Sequence, residues 1–295
     1  MSRLSLLNNL IIGVSLGSIY AIIALGYTMV YGIAKMLNFA HGDVIMVGAF
    51  VCFFASGSFG LPPVVGLLLA MAVCTLLGIT IERLAYKPLR QAPSLAVLIT
   101  AIGVSYLLQN GAQILWGAAT KTFTPIVDGQ FSLFGGQITV TYVAILAVCC
   151  CVVVMAALTF FTGKTKLGKA MRACSEDKGA AQLMGINVDS TISMTFAIGS
   201  ALAALAGVLM CSAYPVLSPT TGSLPGIRAF TAAVFGGIGS IPGAFLGGIL
   251  LGIIETFAKA YISTSLSDAV VFGVLILVLL VKPAGLLGKY VPEKV

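Results

Sequence analysis

Apolar segments of about 20 residues follow one another along almost the whole chain, and they constrain its fold more than any other feature. A helix needs about 20 apolar residues to cross the hydrocarbon core of a bilayer. Only 8% of the residues are charged, against about 25% in soluble domains. The pattern therefore predicts an all-α fold, a polytopic membrane helix bundle.

We predict about eight or nine transmembrane segments, including broken or re-entrant helices, in one integral membrane domain over residues 1–295. The first span runs from about Asn8 to Tyr31 and is longer than the apolar part of a signal peptide, so we expect a retained helix. The other predicted spans are 43–58, 62–81, 94–116, 139–161, 191–213 and 265–282, with a broken pair at 227–240 and 241–258.

Basic residues are concentrated in two loops, and this asymmetry orients the chain. Loop 82–93 contains three Lys or Arg residues, loop 162–190 contains five between positions 164 and 178, and loop 117–138 contains only Lys121. Loops rich in Lys and Arg face the cytoplasm. We therefore expect both basic loops and the C-terminal tail, with Lys282, Lys289 and Lys294, in the cytoplasm and the N-terminus outside. The net charge of +7 is a topology signal, and we expect no nucleic-acid partner.

The long basic loop contains the sequence KLGKAMRACSEDKGAAQLMGIN at residues 166–187. Ser175 is a plausible N-cap, and Glu176 and Asp177 follow where a helix dipole favours acids. Ala180, Leu183 and Met184 recur at helical spacing, and Gly185 predicts the end of the helix. The pattern indicates a short amphipathic helix that either lies on lipid or docks a cytoplasmic partner.

The segment GAAQLMG at 179–185 resembles the cytoplasmic loop of ABC importer permeases, with Ala180, Ala181 and Gly185 at matching positions and Gly179 where an acid is common. Other stretches are similar to the branched-chain amino acid permeases of the Liv family, and to their H-type subunit in particular. They are LNFAHGDVIMVGAF (37–50), YLLQNGAQILWG (106–117), AAVFGGIGSIPGAFLGGILLGIIE (232–255) and KPAGLLG (282–288).

The resemblance implies a permease of the bacterial inner membrane that works with a second, M-type permease, two cytoplasmic ABC ATPases and a periplasmic amino-acid-binding protein. It implies that residues 176–185 form a coupling helix on the ATPase. The residues expected in this role are Arg172, Glu176, Asp177, Ala180, Ala181, Leu183, Met184 and Gly185. Membrane lipid is the remaining partner. Specificity would reside mostly in the binding protein, which leaves urea, short amides or a sugar as alternative substrates.

Two enzymatic functions can be compared with this interpretation. The sequence GKT at 163–165 ends like a phosphate-binding loop, but Leu158 stands where that motif requires a glycine. We expect no cofactor in this chain, with ATP and magnesium bound by the partner ATPases. An intramembrane hydrolase using His41, the only histidine, with Ser240 is a distant alternative, because no third orienting group accompanies the pair.

Two interruptions of the apolar pattern are candidates for the translocation pathway, because non-helical backbone at membrane depth is tolerated where it lines a cavity. The alternative is that both are interfacial turns. The candidate residues are Asn38, Phe39, His41, Gly42 and Asp43 in the first stretch, and Gly236, Gly237, Gly239 and Ser240 in the second.

Three further features of the apolar segments carry predictions. Gln109 and Asn110 lie in an apolar helix, so we expect both to face the bundle interior. Glycines spaced by four residues from 239 to 252 predict close helix packing, against this chain or a second permease. Glu255 and Lys259 predict an i,i+4 ion pair.

Overall fold

The computed structural model describes residues 3–133 and 138–288. Lys289 and Lys294, which we expect in the cytoplasmic tail, lie outside the described residues. The helices are α1 (Arg3–Ala34), α2 (His41–Gly57), α3 (Pro63–Ile81), α4 (Ser94–Trp116), α5 (Tyr142–Lys164), α6 (Lys166–Glu176), α7 (Lys178–Leu183), α8 (Val188–Ala213), α9 (Ser223–Gly236), α10 (Ile241–Tyr261) and α11 (Ser267–Val281). A π-helical turn, Glu82–Tyr86, and a 3-10 turn, Lys87–Leu89, extend α3.

Within the described residues, six helices are long and apolar enough to cross a membrane: α1, α3 with its extension, α4, α5, α8 and α10. Two more, α2 and α11, are apolar but shorter, and α9 has only 14 residues. The all-α membrane bundle with short, interrupted helices is confirmed.

The sequence did not predict an antiparallel hairpin between α4 and α5. Its strands are β1 (Gln130–Leu133) and β2 (Ile138–Thr141), with Gln130 opposite Thr141. The preceding loop also pairs with the segment after α8, because Lys121 forms a β-bridge with Leu217.

The centre of the bundle is formed by α1 and α8, and α10 packs along α1 over most of its length. Glycines make the α1–α10 approach possible: a Cβ added to Gly17 would lie 2.7 Å from the carbonyl oxygen of Ile249, and one on Gly248 2.5 Å from the nitrogen of Ala21. The predicted glycine packing is therefore confirmed, and its partners Gly17 and Ala21 are in this chain. Helices α3, α4, α5 and α11 lie outside this centre with largely exposed apolar faces.

The two basic loops lie at the same end of the bundle, which we call the basic end. Arg90 of loop 82–93 forms an ion pair with Asp189 at the start of α8, and the Lys178 amine of α7 donates to the carbonyl of Ala34 at the end of α1, 2.9 Å away. The C-terminal segment joins them, since Leu287 lines a cavity with residues of α6. The hairpin lies at the opposite end, because α4 leads away from loop 82–93.

Candidate functional site

Helix α2 begins inside the bundle. A Cβ on Gly26 would lie 2.7 Å from His41 Nε2, and one on Gly199 would lie 3.8 Å from the same ring. Gly26 precedes the end of α1 by eight residues, and Gly199 follows the start of α8 by eleven. At 1.5 Å per residue, His41 lies about 12–17 Å from the basic ends of these helices. This depth is near the middle of a bilayer core about 30 Å thick.

Helix α9 begins at the same depth, because its first turn contacts the first turn of α2. A Cβ on Gly42 would lie 2.7 Å from the carbonyl oxygen of Gly222, and one on Gly226 would lie 2.9 Å from Gly42 Cα. Any side chain at these positions would hold the two backbones apart. The N-termini of two half-helices therefore meet in the interior of the bundle.

A polar cluster lies beside this meeting point. The Gln109 amide of α4 donates to Asp43 Oδ1 at 2.8 Å and lies 3.2 Å from Ser105 Oγ and 3.3 Å from Ser223 Oγ. Asp43 is only 2% exposed, and its place in the first turn of α2 is one where a helix dipole stabilises a carboxylate. We call Asp43, Ser105, Gln109 and Ser223 the Asp43 cluster. It combines a carboxylate, which can accept from a cation, with hydroxyl donors, which can bind an anion.

The other residues of the first predicted stretch contact aromatic side chains. The Tyr86 hydroxyl donates to Asn38 Oδ1 at 3.0 Å in a buried contact. Phe39 packs against Phe230 with ring centroids 5.5 Å apart, and Tyr27 lies 4.5 Å from the His41 ring. His41 is buried, and neither of its ring nitrogens has a hydrogen-bond partner within the described residues.

Asn110 does not face the bundle interior, so that expectation was wrong for this residue. It is exposed on α4, and its amide donates to the carbonyl of Tyr106 in the same helix at 2.7 Å. Helix α4 packs only a narrow face against the bundle, and adjacent residues on a helix point about 100° apart, so Gln109 faces inward and Asn110 does not. The helix satisfies the second amide with its own backbone instead.

The second predicted stretch lies far from the first along the bundle. Gly236, Gly237, Gly239 and Ser240 form the turn between α9 and α10 at the basic end, where Leu286 N and Leu287 N donate to the carbonyls of Phe235 and Gly236. Ser240 caps α10 by accepting from the nitrogen of Gly243 at 3.2 Å. The stretch that starts the second half-helix is instead SPTTGS at 218–223. Its run of small polar residues after an apolar helix is the signal that could have identified it.

The predicted coupling loop, residues 162–190, contains two short helices, α6 and α7. Its cap was predicted incorrectly: Asp177 caps α7 by accepting from the nitrogen of Ala180 at 3.0 Å, whereas the Ser175 hydroxyl donates to the carbonyl of Arg172. Glu176 accordingly ends α6 and is not in the first turn of α7. The reason is that the segment KLGKAMRACSE itself has helical periodicity and forms α6, whereas the prediction treated it as part of a loop.

Helix α7 presents apolar side chains outward at the basic end. Leu183 is 91% exposed and Met184 83% exposed, while Ala181 is buried against the bundle. Gly185 follows with a φ of +80°, the left-handed conformation that ends a helix and favours glycine. Two large apolar side chains therefore project from a charged surface.

Ion pairs that the sequence did not reveal hold the start of α8 against loop 82–93. Arg90 pairs with both Glu82 and Asp189, and Lys87 pairs with Asp189 at 2.7 Å. Glu82 is fully buried, and Ser193 donates to its second oxygen at 2.5 Å. The contacts with Asp189 and Ser193 join residues about 100 positions apart, which no local pattern in the sequence indicates.

A second buried charge cluster joins α9, α10 and α11. The predicted pair is confirmed, with Lys259 Nζ 2.5 Å from Glu255 Oε1. Arg228 was not predicted there: it contacts Glu255 at 2.9 Å, Asp268 at 2.6 Å and the Tyr20 hydroxyl at 3.1 Å. Arg228 stands alone in an apolar run, so the sequence gave no indication of its partners.

Comparisons with known proteins agree with this architecture. The profile of the family described as branched-chain amino acid transport system / permease component matches residues 9–279. The chain is 46% identical to the high-affinity branched-chain amino acid transport system permease protein BraD of Pseudomonas aeruginosa, over 98% of both chains. It is 45% identical to LivH of Escherichia coli K12, over 96% of both chains. Identity to the probable LivH permease of Methanocaldococcus jannaschii is 30%, over 92% of this chain and 89% of that one.

Proposed function

The chain belongs to the family of branched-chain amino acid transport permeases, and from this premise we propose that it carries leucine, isoleucine and valine across the bacterial inner membrane. It is a transport subunit of an ABC importer and not an enzyme. The Ser240–His41 pair that a hydrolase would need is not formed: Ser240 caps α10, and His41 has no hydrogen-bond partner in the described part of the chain.

The observation that carries the proposal is the Asp43 cluster at the meeting of two half-helix N-termini. An amino acid is a zwitterion, and this site offers an acceptor and donors at bilayer depth. In the proposed path the Asp43 carboxylate accepts from the substrate ammonium. The Leu224 N–H in the first turn of α9 and the Ser223 hydroxyl donate to its carboxylate. The rings of Tyr27, Phe39 and Phe230 provide an apolar surface for the aliphatic side chain.

Transport in this scheme requires movement of the helices around the cluster. Asp43 is 2% exposed, so the described conformation is closed to the substrate at this point. Helices α2 and α9 meet through glycine contacts, and in this proposal one half-helix shifts against the other there. Exposure of the cluster first to one side and then to the other gives alternating access.

Energy for this movement comes from partner proteins in the proposed assembly. Two ATPases bind ATP and magnesium on the cytoplasmic side, and Leu183 and Met184 of α7 insert into a cleft on one of them. The basic end is therefore cytoplasmic, in agreement with its Lys and Arg content. A second, M-type permease completes the pathway, and a periplasmic binding protein delivers the amino acid and selects it.

Uptake of radiolabelled leucine into proteoliposomes that contain the whole importer tests the proposal. Gln109→Leu removes the amide that donates to the buried Asp43 carboxylate. The lost hydrogen bond should cost about 2 kcal/mol, which corresponds to uptake about 30-fold slower at low substrate concentration. Asn110→Leu is the matched control, because the neighbouring amide bonds only within its own helix and should leave uptake within about twofold.

Co-purification of the other subunits verifies that both variants assemble. Equal uptake by the two variants would contradict a pathway through the Asp43 cluster. Competition identifies the substrate class: excess valine should suppress leucine uptake, and excess urea or a pentose should not. Suppression by urea or the pentose alone would support the alternative substrates.

A further inference from the structure

A cavity of about 320 Å³ lies at the basic end between α1, α4 and α7. Its volume is at the lower limit of small-ligand sites, about 300–1,000 Å³. Three cationic side chains from three separate parts of the chain line it: Lys35 after α1, Arg90 of loop 82–93 and Lys178 of α7. The proposed transport function does not use this cavity.

The charges around the cavity are only partly compensated. Arg90 pairs with Glu82 and Asp189 through its two terminal nitrogens, and its buried Nε has no partner in the described residues. Lys178 donates to the carbonyl of Ala34 and forms no ion pair in residues 3–133 and 138–288, and Lys35 forms none there either. Burial lowers the pKa of the Lys178 amine, and the nearby charges of Arg90 and Lys35 lower it further.

The start of α4 adds backbone donors to the same cavity. Ser94, the first residue of α4, lines it. The first N–H groups of a helix have no partner within that helix, and the preceding residue, Pro93, provides no side-chain cap. The positive end of a 23-residue helix dipole therefore reinforces the three cations.

Apolar residues continue from the cavity along the outer surface of the bundle. Leu37, Leu89, Val97 and Leu98 line its walls. Beyond them α4 exposes Leu95, Ile99, Ile102 and Leu107, each more than 40% exposed. A phosphate group attached to hydrocarbon chains would match both the cationic cavity and the apolar surface beside it.

We propose that this cavity binds the phosphate of an anionic phospholipid, with Lys35, Arg90 and Lys178 around the headgroup and the acyl chains along α4. Basic pockets between transmembrane helices on the cytoplasmic side are suited to such headgroups. Lys178 belongs to the proposed coupling helix, so the bound lipid joins α7 to the ends of α1 and α4. Only this effect on coupling rests on the proposed transport function; binding itself does not.

The purified full-length chain in detergent provides the test, with phosphatidylglycerol as the probe and native mass spectrometry as the readout of affinity. Lys35→Gln removes one exposed charge and should weaken binding about fivefold. Lys35→Arg should retain it. Lys169→Gln is the matched control, because Lys169 is exposed on α6 and does not line the cavity.

Phosphatidylcholine serves as the zwitterionic comparison and should bind at least tenfold more weakly. Equal weakening of phosphatidylglycerol binding by Lys35→Gln and Lys169→Gln would overturn the proposal, because it would show only a general effect of charge. Competition by inorganic phosphate at the same concentration as the lipid would also overturn it, because the site would then serve a soluble anion. Leucine uptake need not be measured, so this test is independent of the transport assignment.

Discussion

Replacement of Arg90 by glutamine should destabilise the protein far more than replacement of Lys87. Both side chains pair with Asp189, which is about half exposed, but Arg90 also pairs with the fully buried Glu82. Arg90→Gln leaves Glu82 buried with only Ser193 as a partner. Removal of one partner from a buried ion pair costs about 3–5 kcal/mol, whereas an exposed pair such as Lys87–Asp189 contributes about 0–1 kcal/mol.

Thermal unfolding in detergent measures this difference, with a thiol-reactive fluorophore as the reporter. Five of the seven cysteines are buried in the folded chain: Cys52, Cys74, Cys151, Cys174 and Cys211. Their reaction therefore reports unfolding. At about 2 °C per kcal/mol for a chain of this size, Arg90→Gln should lower Tm by about 6–10 °C and Lys87→Gln by about 2 °C or less.

A third variant isolates the cause of the effect. Glu82→Gln combined with Arg90→Gln removes both charges, so most of the lost stability should return if the unpaired carboxylate is responsible. Equal Tm values for the single variants at Arg90 and Lys87 would contradict a buried ion pair at Arg90. A double variant less stable than Arg90→Gln alone would contradict it as well.

Two other predictions concern helix packing and topology. Gly222→Ala should reduce Tm and uptake together, because its Cβ would overlap the backbone at the start of α2 at a cost of about 1–3 kcal/mol; Gly111→Ala, which has open space around it, should do neither. An unchanged Tm for Gly222→Ala would contradict the close approach of the half-helices. For topology, Gln182→Cys in a chain without its accessible native cysteines should react with an impermeant thiol reagent only after cell lysis. Cys174 is a poor reporter, since it is 1% exposed and burial raises the pKa of its thiol. Labelling of Gln182→Cys in intact cells would contradict the predicted orientation.

The long helices could be predicted from the sequence because their signal is local. In a bilayer, an apolar run of about 20 residues has few alternatives to a helix that satisfies its own backbone hydrogen bonds. The predicted 94–116 span matches α4. The start of α2 could also be predicted, because the polar residues between Asn38 and Asp43 interrupt the apolar pattern. The predicted start at 43 differs from the observed one by two residues.

The predicted span 227–240 placed the start of α9 only four residues late, but the contact of this start with α2 was missed because a stronger local signal lies nearby. The glycines and proline between Gly236 and Gly243 indicate a break, and they do form one, but at the basic end of the bundle. The half-helix begins at Ser223, where only small polar residues mark the change. Its role depends on contact with Gly42, which lies 180 positions earlier, and a single sequence holds no information about that distance.

The polar clusters were predictable only in part for the same reason. Glu255 and Lys259 are four residues apart on one helix, so their pair follows from helical spacing. Arg228 reaches the same cluster from another helix, and Gln109 reaches Asp43 across 66 positions. These side chains were recognisable as unusual in apolar segments, but their partners were set by tertiary packing.

We propose that this chain converts ATP hydrolysis in a partner into movement of its membrane helices through α7. Leu183→Asp combined with Met184→Asp places two carboxylates where an apolar cleft would receive them, at a cost of several kcal/mol. Gln182→Asp adds a charge to the same helix without removing the apolar side chains and serves as the control.

The measurement is recovery of the ATPase subunits on purification of the tagged chain, with leucine uptake measured on the same membranes. We expect the double variant to insert normally but to lose the ATPase and transport, while the control retains both. Wild-type uptake and full ATPase recovery in the double variant would contradict the coupling role of α7.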